Sequence, residues 1–88
     1  MSLLNKGNTP SIDLHGESKD IAIILVKDFI FDNYRLNKKQ IVIVHGIGSG
    51  ILKNAVHQEL SKNQYVKNYK IDFFNVGSTI VTLKSIDK

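Results

Sequence analysis

Eighty-eight residues, 42% of them hydrophobic and 23% charged, with one proline and no cysteine, make a single small domain that buries roughly 60 to 65% of the surface its unfolded chain exposes. The missing cysteine excludes a disulfide framework, a cysteine-ligated metal centre and a thiol nucleophile, and fits a reducing, cytoplasmic setting. No apolar run approaches the roughly 18 residues a membrane span needs, and the net charge of +4, with a pI near 9.4, is spread along the chain rather than blocked. A mild basic excess favours polyanionic partners through counterion release, though many basic proteins have none.

Residues 1–10 (MSLLNKGNTP) have no periodicity and read as a flexible leader, with the domain proper over residues 11–88. Ile12 and Leu14 alternate with Asp13 and His15 in a short strand that Gly16 stops. Ser18 is placed to cap a helix from about Lys19 to Tyr34 whose stripe is Ile21, Ala22, Leu25, Val26 and Phe29. Ile24, Ile30 and Phe31 widen that stripe enough to suggest heavy burial or a partner, so a monomer and a weak homodimer both stay open. IVIVH, apolar on both alternate faces, reads as an inner strand with a parallel neighbour. After the glycines of HGIGSG, Ile51, Leu52, Ala55, Val56 and Leu60 mark a second helix ending near Lys62, with His57 reading as exposed surface. Two strands close the chain, one containing Tyr69, Ile71 and Phe73 and the other running from Thr79 to Lys84, joined by a turn over Asn75 to Ser78.

The order is βαβαββ. Right-handed crossovers that step the same way put both helices on one face of a mixed four-stranded sheet, giving a two-layer α/β sandwich. The first two strands then end side by side, each in His-Gly, at the edge where α/β sheets collect ligands. Asp13 and His15 point the same way along their strand, so the carboxylate can fix the imidazole tautomer for general-base work; the same residues also make an ordinary solvated strand end. HGIGSG brings three glycines and the unpaired amides of a helix N-terminus, which suit an anion such as phosphate, or serve only as a tight connection. It matches neither the G-x-G-x-x-G fingerprint nor the G-x-x-x-x-G-K-[ST] loop of nucleotide sites. Lys53, in the first turn of the second helix, would reach an anion there. The tyrosines and Phe73 and Phe74 have the rings to stack on bases, but their spacing places most of them in the core.

IDLHG at Ile12 to Gly16, followed about thirty residues on by HGIGSGILK at His45 to Lys53, resembles the small MutS-related (Smr) domain family, marked by LDLHG-like and HGxGxGxLR-like motifs. The resemblance runs from Ile12 to Leu83. It implies the two-layer fold of the C-terminal domain of translation initiation factor three, and nucleic-acid binding with endonuclease activity on DNA or RNA in many members. It implies that Asp13 and His15 act in cleavage and that His45, Gly46, Gly48 and Gly50 belong to a substrate-binding loop. Read together with the residues themselves, Asp13, His15 and His45 are the candidate catalytic residues, Gly46, Gly48, Ser49, Gly50 and Lys53 the candidate phosphate-binding ones, and no metal ligand is assigned. If DNA, which lacks a 2′-hydroxyl, is the substrate, a divalent ion, Mg or Mn, becomes a candidate cofactor. The ribosome and MutS-related proteins are the implied partners, and a non-catalytic binding module is the alternative. Two departures stand out: Lys53 occupies the usual arginine position, and FNVG, Phe74 to Gly77, keeps one glycine of a GGxG-like stretch.

Overall fold

A computed structural model of the chain describes residues 9–86. The leader expected over residues 1–10 therefore lies, for residues 1–8, outside the described residues, while the Pro10 carbonyl accepts the Val42 N–H at 2.9 Å and extends the sheet. The elements are β1 (Ser11–Asp13), α1 (Lys19–Arg35), β2 (Gln40–Val44), α2 (Ile51–Lys62), β3 (Val66–Asp72) and β4 (Asn75–Leu83). The four strands form one sheet in the order β1-β2-β4-β3. β1 and β2 are parallel, and β4 runs antiparallel to both β2 and β3. The helices share one face, and no described helix is long and apolar enough to cross a membrane.

Alternation decides which residues meet the helices. Ile41 and Ile43 in β2, Thr79, Val81 and Leu83 in β4, and Leu14 after β1 are buried beneath Ala22, Val26 and Ile30 of α1 and Val56 and Leu60 of α2. Val42, Val44 and Ile80 point to the other face and stay half-exposed, so β2 is central but covered by the helices on one side only. Ser18 caps α1 as its sequence suggests, its Oγ accepting the Ile21 N–H at 3.3 Å, a contact worth about 1 kcal/mol. The buried face of α1 is narrower than its apolar content: Ala22, Val26 and Ile30 are fully enclosed, whereas Ile21, Ile24 and Phe31 are exposed. One flat sheet can cover only one side of a helix.

The β3–β4 turn falls two residues earlier than expected. Asp72 pairs with Asn75 and the turn is Phe73-Phe74. The Asp72 carboxylate accepts the Phe74 N–H at 2.9 Å, a local bond that turns the chain before glycine is reached. Gly77 lies inside β4.

Candidate functional site

The register Asp13↔Val44 sets the ends of β1 and β2 side by side, and the Leu14 N–H donates to the Val44 carbonyl at 2.7 Å. β3 runs parallel to β2, so its carboxyl end and the start of β4 reach the same edge. The site is built along that edge.

His15 folds back on Asp13. Its Nδ1–H donates to Asp13 Oδ1 at 2.7 Å and its backbone N–H to the same oxygen at 3.1 Å. Both side chains are open to solvent, 77% exposed for His15 and 56% for Asp13. The hydrogen bond to Asp13, with the carboxylate charge behind it, raises the His15 pKa above 6.5; the bonds from His15 lower that of Asp13. The donated Nδ1–H leaves Nε2 as the basic atom. A base of raised pKa therefore stands on the surface, held by its carboxylate.

The glycine loop lies against it. Gly46, Gly48 and Gly50 all have positive φ, 84°, 24° and 86°. In this conformation an added Cβ at Gly46 would be strained and would also stand 3.8 Å from His15 Cβ. Gly50 precedes α2 without any side-chain cap, and no acidic residue occupies the first turn, so the helix presents amides and a positive dipole end outward. Ser49 Oγ makes a long 3.4 Å contact with the Ile51 N–H. His15, Gly46, Gly48, Ser49, Gly50 and Lys53 line one open depression of about 520 Å³.

His45 reaches the same edge but turns inward. It is 4% exposed. Its Nδ1–H donates to the Gly46 carbonyl at 3.0 Å, and its Nε2 is 2.8 Å from Thr79 Oγ1. That hydroxyl is also 2.7 Å from His57 Nε2. A hydroxyl has one proton, so Thr79 donates to one imidazole and accepts from the other. The three side chains form a hydrogen-bonded chain under the loop. His57, expected on the surface, is half-buried, its ring centroid 5.1 Å from that of Tyr69 with the rings edge to face. Burial, then the nearby His45 and Lys53, lowers its pKa. Neither His57 nor Thr79 stands out in the sequence: His57 borders the Leu52–Val56–Leu60 stripe, and Thr79 is one β-branched residue in a strand of them.

The β3–β4 hairpin fixes the loop from the other side. The Gly77 carbonyl accepts N–H bonds from both His45 and Gly46, at 2.9 Å each. An added Cβ at Gly77 would come within 3.3 Å of the Gly46 carbonyl carbon. The one glycine kept in FNVG is thus the one at which two backbones approach closely. Phe73 and Phe74, expected largely in the core, are 87% and 90% exposed at the hairpin tip, their rings edge to face at 5.2 Å. Among the described residues no group of three or more His, Asp or Glu side chains gathers to hold a metal ion.

Comparison with known proteins settles the family to which this arrangement belongs. The Smr domain family model matches residues 12–84. The chain belongs to the Smr domain family. It is 37% identical over 75 residues to Endonuclease MutS2 of Lachnoclostridium phytofermentans, a match covering 85% of this chain and 9% of that protein. Against Endonuclease MutS2 of Clostridium acetobutylicum the identity is 35% over 78 residues, covering 89% of this chain and 10% of that protein. This Smr domain thus spans about a tenth of the length of these curated relatives. In fold it matches the Smr domain of Thermus thermophilus MutS2, with a TM-score of 0.84 at 23% identity over 86% of this chain and 99% of that one. It also matches YdaL, a stand-alone small MutS-related protein from Escherichia coli, with a TM-score of 0.83 at 20% identity over 92% of this chain and 71% of that one.

Proposed function

We propose that this Smr domain is an endonuclease that cleaves nucleic-acid phosphodiesters, with His15 as the general base. The observation that carries this reading is the Asp13–His15 pair, bonded at 2.7 Å and open to solvent, with the imidazole lining the same depression as an anion-receptive glycine loop. His15 Nε2 takes the proton from the attacking oxygen, which is the 2′-hydroxyl in RNA and water in DNA. The loop amides and Lys53 hold the phosphoryl oxygens as negative charge builds on them. Lys53 supplies a point charge where an arginine would supply a two-pronged fork. His45, turned inward, acts on the loop through the Gly46 carbonyl, and the leaving oxygen takes its proton from water. The names of the MutS2 relatives agree with phosphodiester cleavage.

Cleavage of end-labelled RNA and of branched or nicked DNA, with and without chelator, tests the proposal. His15→Ala should reduce cleavage by at least about a hundredfold with the fold intact, as loss of a general base does. A 2′,3′-cyclic phosphate end on RNA would identify 2′-hydroxyl attack, and chelator-sensitive cleavage of DNA would identify a requirement for Mg or Mn. Undiminished cleavage by His15→Ala would remove the proposal. The inward turn of His45 favours a second reading, a nucleic-acid-binding module without cleavage. Retained binding with no products across about pH 5 to 9 would support that reading instead.

A further inference from the structure

A depression larger than the one at His15, about 800 Å³ against about 520 Å³, lies at the opposite edge of the sheet. There α1 leads into β2, α2 leads into β3, and β4 ends. Two hydrogen bonds tie these segments together: the Leu83 N–H donates to the Lys39 carbonyl and the Lys84 N–H to the Tyr65 carbonyl, at 2.9 Å each. Tyr34 and Tyr65 form one wall, half-buried, with ring centroids 4.4 Å apart and planes inclined by 35°. Lys38, Lys39, Lys67 and Lys84 stand around it, and among the described residues no carboxylate lines it. Among the described residues the ion pairs are His15–Asp13 and Lys27–Glu59, so none of these four lysines is paired.

In sequence the four lysines are scattered from position 38 to 84, and folding gathers them. Like charges around one concavity repel one another, so the arrangement costs stability unless an anion occupies it. The anion must also suit an aromatic wall. A base offers a flat π face to tyrosine while its phosphates meet lysine, which is how proteins hold unpaired strands. An acidic peptide lacks that face, and a lipid surface cannot enter a recess. The volume lies in the range of small-ligand pockets.

We propose that this cavity is a second nucleic-acid contact, which takes a nucleotide of an unpaired strand with its base against Tyr34 and Tyr65 and its phosphates on the lysines. Between Lys39 and His45 the chain is extended along β2, which puts the two sites roughly 20 Å apart. The cavity is therefore separate from the proposed cleavage site and does not depend on cleavage.

The test uses the full chain carrying His15→Ala, so that turnover does not enter, labelled for amide NMR and titrated with a short single-stranded oligonucleotide. Shifts are expected at Lys38, Lys39, Tyr65, Lys67 and Lys84. Adding Lys67→Gln and Lys84→Gln, both on exposed side chains, should weaken binding about fivefold and lower the slope of log affinity against log salt by about 1.4, or 0.7 for each phosphate no longer neutralised. Unchanged affinity and slope, or shifts confined to the glycine loop, would overturn the proposal. So would cavity shifts that an acidic peptide or anionic vesicles produce more readily than the oligonucleotide does.

Discussion

Thr79 is the residue on which the inner half of the site depends. Its hydroxyl serves His45 and His57 at once, at 2.8 and 2.7 Å, and it is fully buried. Thr79→Val keeps the shape and removes the atom both imidazoles share. Denaturant unfolding should show a loss of about 1 to 3 kcal/mol, the cost of leaving buried polar groups without their partner. His57 makes a separate prediction. Its folded pKa is depressed by burial, His45 and Lys53, so as pH falls below 6.5 the unfolded chain takes up a proton that the folded chain resists. Stability held above 6.5 is then lost on acidification. Thermal melts from neutral pH downward should fall less steeply for His57→Gln than for the parent.

At the scale of elements, the β3–β4 hairpin does two things with adjacent residues. Gly77 clasps the loop through two hydrogen bonds that its carbonyl accepts, while Phe73 and Phe74 stand in water a few residues before it. Two rings at a turn contribute nothing to the core, and their position on the edge that carries His15 suits stacking on unpaired bases. Replacing both with Ala should leave the melting temperature within a few degrees and weaken binding of single-stranded oligonucleotide by roughly tenfold, whereas duplex binding changes little. The hairpin also marks where sequence reasoning stops. The alternation of Tyr69, Ile71 and Phe73 continues smoothly to the turn, so periodicity alone carries the strand one residue too far and puts its rings inside. The chain turns at Asp72 because of a side-chain hydrogen bond that hydropathy does not register. By contrast Ser18, the α1 stripe at Ala22 and Val26, and the paired His-Gly dipeptides are legible, because each follows from spacing along a regular element. The Thr79 bridge is not, because it joins β2, α2 and β4 and exists only once they pack.

Across the whole molecule, four of the lysines that look dispersed in sequence gather at one edge of the sheet, opposite the edge that carries the proposed cleavage site. One edge carries Asp13, His15, the glycine loop and Lys53; the other carries lysines around paired tyrosines. A strand held at both edges would cross the sheet face away from the helices, where Val42, Val44 and Ile80 are half-exposed and Lys70 points outward. The helices, confined to the far side, leave that path open. In the proposed mechanism the chemistry rests on one carboxylate-held imidazole at the surface, since His45 is enclosed and His57 half-buried. The most direct measurement of that claim is the pH dependence of cleavage, kcat/KM, for the parent and for Asp13→Asn. Because Asp13 raises the His15 pKa above the ordinary imidazole value of 6.5, and the base form is the active one, the parent rate should rise with pH through a limb above 6.5. Asp13→Asn should move that limb to lower pH and lower its plateau. A limb that stays in place when Asp13 is replaced would contradict the assignment of His15 as the base.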